Sequence, residues 1–415
     1  MDSLQPHPMH QSTFRHKLQL VVLQPTSYCN LNCSYCYLPD RRVAQRMSPH
    51  VLDTSIRKIL ESPITDSHVI FLWHAGEPLV VGLPFYEHAV SVTRRYRAAT
   101  TVVEHSIQTN GTLLSDAWCE FFLREEFQIG VSLDGPQFLH DQHRRNWGDR
   151  GSFQQVMAGI TKLRDHGIEF GVLAVLTADS LPYADDLYDF FKSVGASSVG
   201  FNVEEVENVH ACSTFSSVPD FTRIRADYYR FFSRLMERVQ TDSKPLKIRE
   251  IERRLKAVMR IKKKATYVYE PMEAAPFRMI TILQNGDVTP FSPEFAGDRS
   301  QLYQDFKIGN ICEQDLDEIA RALDESLLKA HAQASRDLCQ AHCEYFQMCG
   351  GTYFSNKWSE NHDLLTHETL ACRLHSQAIT DAFLDHISPM QGGQTLHTSG
   401  ETQGSLMIVA NPTVI

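Results

Sequence analysis

Residues 18–40 read LQLVVLQPTSYCNLNCSYCYLPD. An apolar run, 18–24, leads directly into three cysteines, Cys29, Cys33 and Cys36, with the spacing C-x3-C-x2-C. Three thiolates on one short loop can bind three irons of a 4Fe-4S cube and leave the fourth open, whereas a ferredoxin-type carrier fills all four positions. An open iron implies a bound substrate or cofactor. The other reading of the triad is zinc, which usually takes paired C-x2–4-C arms with a fourth ligand close by.

Outward from this segment, residues 18 to about 204 alternate short apolar runs with longer amphipathic stretches, the pattern of repeated βα units on a parallel sheet. Six strands are predicted, LQLVVLQ, HVIFLWH, EHSIQTN, QIGVSLD, EFGVLAVL and SVGFNVE, with helices over 51–61, 84–98, 115–125, 153–166 and 181–193. The predicted fold is α/β: a partial, open (β/α)6 barrel followed by a small cysteine-rich α+β domain. Functional loops in parallel α/β folds emerge at the carboxyl ends of strands. The cysteine triad and the segments GEP (76–78), TNG (109–111) and LDGP (133–136) all fall there, so one site is expected. The chain divides into an N-terminal tail 1–17, the barrel 18–215, a helical bridge 216–270, the cysteine-rich domain 271–387 and a tail 388–415. That last tail is expected to be disordered, with LMIVA able to dock. The bridge reads as two helices within 220–264. A hairpin turning at Asn285-Gly286 and a helix over 313–332 follow.

With 415 residues and 42% hydrophobic content, the chain can bury a large core and more than one domain. No apolar run approaches the roughly 18 residues that span a bilayer, and the polar N-terminus lacks a signal-peptide h-region. Cytoplasmic location follows as the expectation, with no membrane partner. There the ten cysteines would be metal ligands and free thiols. A net charge of −10 argues against nucleic acid, which calls for a basic stripe. The cluster of Arg253, Arg254, Lys262, Lys263 and Lys264 reads as a solvated helix face.

Four further thiols, Cys339, Cys343, Cys349 and Cys372, lie in the last third. Four thiolates saturate one cube, which suits electron transfer; a four-cysteine zinc site is the alternative. Cys119 reads as a packed core thiol, and Cys212 and Cys312 as bystanders.

The triad, with Tyr35 before its third cysteine and Gly76-Glu77-Pro78 about 40 residues later, resembles the radical S-adenosylmethionine (SAM) superfamily. That resemblance implies SAM chelated to the open iron of a three-cysteine 4Fe-4S cluster, and reductive cleavage of SAM to methionine and a 5′-deoxyadenosyl radical. Tyr35 would lie beside the adenine. Backbone carbonyls of Gly76, Glu77 and Pro78 would accept from the SAM amino group, the glycine allowing close approach of the ligand. QTNG (108–111) and VSLDGP (131–136) resemble motifs of the peptide-modifying branch, so that Asn110 and Ser132 would contact SAM and Arg144 would pair with its carboxylate. The bland alternatives are a surface arginine at 144 and a turn or cap residue at Asp134. The C-terminal cysteines resemble a reduced SPASM extension, implying one auxiliary 4Fe-4S cluster. Residues 289–294, TPFSPE, lack the cysteine and aspartate that sulfatase-maturing enzymes carry in this region. With VVLQPTSYCNLNCSYCYLPDR, they look like cyclophane-forming maturases of the GrrM/OscB type.

The function this implies is a radical SAM oxidoreductase that joins an aromatic ring to a side-chain β-carbon in a ribosomally made precursor peptide. Its electron donor would be a flavodoxin or ferredoxin. No proton acceptor stands out; Glu204, Glu205, Glu294 and His74 are the candidates. The alternatives are thioether formation or formylglycine maturation on the same scaffold, a small-molecule radical SAM enzyme, and a non-enzymatic iron–sulfur scaffold. No leader-binding domain of the usual length is evident before residue 18.

Overall fold

A computed structural model describes residues 16–388, apart from Pro219 and Thr352. All of the expected tail 388–415 except Ser388, LMIVA included, and most of the N-terminal tail lie outside the described residues. Ten strands form one sheet: β1 Leu18–Leu23, β2 Thr65–Trp73, β3 Val102–Thr109, β4 Gln128–Ser132, β5 Phe170–Leu176, β6 Ser198–Val203, β7 Lys247–Ile248, β8 Met279–Ile282, β9 Asp287–Pro290 and β10 Gly309–Asn310. Their order is β10-β9-β8-β1-β2-β3-β4-β5-β6-β7. The six predicted strands are the six consecutive parallel strands β1 to β6, and the five helices expected between them are present.

Side chains alternate across a strand, so each strand supplies two faces. Val21, Leu23, Val69, Phe71, Trp73, Ile107, Ile129, Val131 and Val172 face the helices in one continuous hydrophobic core. Leu20, Val22, Ile70 and Met279 point the other way and form a small separate cluster on the inner face. The helices that cover the outer face begin where their sequences allow. Ser48, Ser115 and Asp220 each accept a backbone N–H from the first turn of the helix that follows, Pro49–Glu61, Asp116–Glu125 and Phe221–Thr241 respectively.

The hairpin predicted at Asn285-Gly286 is β8-β9, and β8 pairs in parallel with β1. It therefore extends the main sheet, which no local pattern could have shown. The predicted helix 313–332 is two, Leu316–Asp324 and Leu327–His342, because Ser326 caps the second through the Lys329 N–H. The basic cluster on the helix Arg249–Lys263 is only partly solvated. Lys262, Lys263 and Lys264 are exposed, but Arg254 is buried with Nη2 2.7 Å from the His375 carbonyl. That correction follows from the helical segment Cys372–Ala378 packing over this face. No helix among the described residues is long and apolar enough to cross a membrane.

Ile280 on β8 is fully buried between β1 and β9. Ile280→Ala should destabilise the chain by about 2–5 kcal/mol, measured as a lowered urea midpoint.

Candidate active site

The loop after β1 carries the cysteine triad and is strapped to its surroundings by backbone and side-chain bonds. Cys29 N–H donates to the Arg41 carbonyl (3.0 Å), and the Cys29 carbonyl accepts from Trp147 Nε1 (2.8 Å). Arg41 Nη1 donates to the Cys33 carbonyl (3.1 Å), while Asn32 and Ser34 N–H groups donate to the Arg145 and His143 carbonyls. Leu31 N–H (3.4 Å) points at Cys29 Sγ. Burial raises the Cys29 thiol, with Glu77 and the other two thiols adding to it, and burial pushes Cys33 up to about 12. Thiols held protonated in this way release protons when a metal binds. Among the described residues no three His, Cys, Asp or Glu side chains converge on a single ion. A cube asks for no such convergence, since each corner iron takes its own thiolate, so the donor set fits a cluster.

The turn after β2 locks onto this loop. Gly76 has φ +64°, and a β-carbon there would lie 2.5 Å from the Thr26 carbonyl oxygen and 2.7 Å from that of Tyr28. The glycine thus serves close contact between two protein loops. Glu77 is wholly buried and faces inward. Its carboxylate accepts from Leu79 N–H (2.9 Å), Thr109 Oγ (2.7 Å) and Asn110 N–H (2.8 Å), tying the end of β2 to the end of β3. Burial lifts its pKa to about 7, against the pull of those three donors. The Pro78 carbonyl accepts from Tyr86 Oη (3.0 Å). Asn110 reaches back to the cysteine loop: its Nδ2 donates to Asn30 Oδ1 (2.8 Å) and lies 3.9 Å from Cys29 Sγ.

At the end of β4 the Arg144 guanidinium grips Asp134, with Nε and Nη2 each 3.0 Å from a carboxylate oxygen. Asp134 also accepts from Val175 N–H (2.9 Å) and from Tyr35 Oη, and Arg144 lies over the Tyr35 ring, 5.4 Å from its centroid. Burial works to raise the Asp134 carboxyl, but the guanidinium outweighs it and holds it below the ordinary range. The residue expected to pair with a bound carboxylate is therefore already engaged, and the pair fixes Tyr35 on the cysteine loop. Ser132 accepts from Gln108 Nε2 at 3.0 Å.

A cavity of about 660 Å³ runs along the inner face of the sheet, from Gln128 and Glu169 at one end to His74, Asn202 and Glu205 at the other. Gln108, Ser106 and Leu173 line its wall, and Phe291, Glu294 and Tyr353 close it from the C-terminal region. Ser106 Oγ is buried there without a partner in the protein, as a site for a polar ligand requires. Ala75, Phe291 and Tyr353, at φ +70°, +67° and +67°, are left-handed. Such strain in bulky residues clusters at functional sites. Of the candidate acids, Glu205 and Glu294 line the cavity and Glu204 does not. Glu204 turns to His210 Nε2 (3.2 Å) and Thr214 N–H (2.8 Å), with burial offset by these bonds so that its pKa is lowered. Burial raises Glu205 and Glu294, and their mutual repulsion adds to Glu205. Burial alone lowers His74 to about 4. Glu207, which carried no sequence signal, belongs to the same acidic group: it is buried, raised by burial and by Glu205, and accepts from Asn356 Nδ2 (2.9 Å).

The C-terminal thiols also meet. Cys339 closes the last turn of Leu327–His342 and Cys343 caps it; Cys349 ends the turn Phe346–Cys349. Gly350 then turns left-handed (φ +73°), its missing β-carbon leaving room for the Tyr269 carbonyl. Burial raises Cys372, and the neighbouring thiols of Cys349, Cys343 and Cys339 raise it further, which brings all four into one electrostatic unit.

Comparison with known proteins came out as follows. The model of a family described as the Radical SAM superfamily matches residues 23–191. The uncharacterized protein sll1766 of Synechocystis sp. (strain ATCC 27184 / PCC 6803 / Kazusa) is 33% identical over 381 residues, 90% of this chain and 93% of that protein. A serine-type anaerobic sulfatase-maturating enzyme of Bacteroides thetaiotaomicron is 38% identical over 193 residues, 45% of this chain and 46% of the enzyme. In fold alone, the chain is similar to native anSMEcpe with bound AdoMet (TM-score 0.71, 21% identity, 89% of this chain and 96% of that chain). It is similar also to Streptococcus suis SuiB bound to precursor peptide SuiA (TM-score 0.62, 15% identity, 86% and 76%).

Gly76→Ala must displace the triad loop, so iron incorporation at the N-terminal site should fall severalfold in anaerobic reconstitution. Asp134→Asn leaves Arg144 buried without its carboxylate and should cost about 3–5 kcal/mol at neutral pH. Because the folded pKa of Asp134 is depressed, that stability is present above its ordinary pKa and lost as pH falls through the folded value. The gap between wild type and variant in denaturant midpoint should therefore close in acid.

Proposed function

We propose that this chain, which belongs to the radical SAM superfamily, modifies a ribosomally made peptide by joining an aromatic ring to the β-carbon of a nearby side chain. The carrying observation is the single cavity whose wall combines the inner face of the sheet with Phe291, Glu294 and Tyr353 from the C-terminal region. Two neighbours in fold hold peptides, native anSMEcpe with bound AdoMet and Cp18Cys peptide and SuiB bound to precursor peptide SuiA.

When bound, a 4Fe-4S cluster on Cys29, Cys33 and Cys36 together with SAM supplies hydrogen-atom abstraction, with the reducing electron coming from a flavodoxin or ferredoxin. The protein's part is to hold, orient and exclude water. Tyr35, fixed by Asp134 and Arg144, would lie beside the nucleoside, and Asn110, Ser132 and the 76–78 turn would hold the polar groups of SAM. Joining a side-chain carbon to a ring removes two hydrogens in all. One leaves as the abstracted atom, and the second leaves as a proton and an electron when the ring regains aromaticity. Glu205 and Glu294 are positioned to take the proton. The electron is assigned to one auxiliary 4Fe-4S cluster on Cys339, Cys343, Cys349 and Cys372, in a SPASM-like C-terminal region.

Formylglycine formation is the second reading, favoured by the identity to the sulfatase-maturating enzyme. Against it stands the segment 289–294, TPFSPE, with neither cysteine nor aspartate.

Anaerobic incubation with SAM, dithionite and a peptide bearing aromatic residues should give 5′-deoxyadenosine and a peptide lighter by two hydrogens, with fragmentation suppressed between the joined residues. A product that reacts with a hydrazine would be an aldehyde and would support the second reading. Since Glu205 must be ionised to accept a proton and its pKa is raised, crosslinking should quicken as pH rises above neutrality. Glu205→Gln should lower the rate at least tenfold and flatten that limb of the profile.

A further inference from the structure

Lys357 sits on the helix Phe354–Asn361 and is 2% exposed. Its Nζ lies 2.8 Å from Ser335 Oγ and 3.2 Å from Cys339 Sγ, with the Phe354 ring centroid at 5.7 Å. Among the described residues no carboxylate comes within ion-pairing distance of it. A buried ammonium without an anion is costly by many kcal/mol, and native proteins pair such charges or bring them to metals. Ser335 is neutral and spends its own hydrogen on the Thr366 carbonyl (3.0 Å). That leaves the sulfur of Cys339 as the group in reach that can carry negative charge. A second buried cation approaches the same site from another element. Arg254, 9% exposed, bonds the His375 carbonyl and leaves its Nε unpartnered, and its charge opposes the rise that burial imposes on the Cys349 thiol.

We propose that Lys357 is the built-in counter-charge of the four-thiol site and raises the reduction potential of the iron–sulfur cluster held there, so that it takes up an electron more readily. The inference rests on the cluster reading given above for Cys339, Cys343, Cys349 and Cys372. Its physical basis is general: cluster potentials follow net charge and hydrogen bonds to the ligand sulfurs, and the reduced cluster is one charge more negative. A fixed cation at hydrogen-bond distance from a ligand sulfur, in a dry pocket, favours that form. The same placement suits a cluster that must receive the surplus electron when a ring rearomatises.

The test uses the full chain with Cys29, Cys33 and Cys36 all replaced by Ala, so that only the C-terminal site can bind iron. After anaerobic reconstitution, iron and sulfide are counted and the midpoint potential is read by EPR-monitored titration, with and without a Lys357 substitution. Lys357→Met, an apolar side chain of similar length, should keep about four irons and lower the electron-uptake equilibrium at least tenfold, about 59 mV for one electron. Lys357→Arg should stay near the parent. Should Lys357→Met fold by circular dichroism yet take up no iron while Lys357→Arg does, the charge serves to assemble the site and not to set its potential, and the proposal is overturned. Four irons with an unchanged potential in Lys357→Met would overturn it, as would equal loss in both variants, which marks a purely steric role. A parent that binds zinc or no metal at the C-terminal site sinks the cluster reading itself, and the proposal with it.

Discussion

Everything at the open end of the sheet depends on the contact between the turn after β2 and the cysteine loop. Gly76 leaves no room for a side chain between itself and the Thr26 and Tyr28 carbonyls, and Glu77 beside it holds three donors in complete burial. Leaving one such buried donor unpaired costs about 1–3 kcal/mol. The turn is thus held from three sides, and the loop that carries Cys29, Cys33 and Cys36 inherits that rigidity. Asn110, held by the same carboxylate, extends the lock to Asn30 inside the loop. On the opposite flank Asp134 and Arg144 do the same for Tyr35. A site built for radical chemistry needs this stiffness, because misplacement by an ångström costs orders of magnitude in rate.

The period-two alternation of the strands then divides the labour. One face, Val69, Phe71 and Trp73 on β2, is consumed by packing; the other, Ile70, Leu72 and His74, lines a cavity. The C-terminal hairpin adds to that sheet beside β1, which is how Phe291 and Glu294, far along the chain from the triad, come to wall the same cavity. Raised carboxyls gather where the two parts of the chain meet, at Glu205, Glu207 and Glu294.

The parallel core was legible because each strand is a short apolar run ending in a polar motif, and because those motifs share one end of a parallel sheet. The partner of β8 was not legible: pairing with β1 is a long-range contact that leaves no local trace. Two-residue strands such as β7 and β10 are too short to show any periodicity. The contacts of Gly76 with the Thr26 and Tyr28 carbonyls and of Arg144 with Asp134 were not legible, because a motif gives the residue type a position needs, and the protein atom it faces comes only from packing. Lys357 was missed although its signal was present. Phe354, Lys357 and Trp358 share one helical face at i, i+3 and i+4, so a lysine between two aromatics on that face was bound to be drawn inward. Arg254 was misread as solvated because its helix is rich in basic residues, and only the covering segment near His375 buries it.

The account turns on a peptide side chain giving up hydrogen inside the cavity. The most direct measurement supplies a peptide whose residues carry deuterium at their β-carbons and reads the isotope content of the 5′-deoxyadenosine formed with SAM under reducing, anaerobic conditions. Deuterium in the nucleoside, matched by its loss from the crosslinked residue, is the result expected. Deoxyadenosine that stays unlabelled while the peptide is converted would contradict the account.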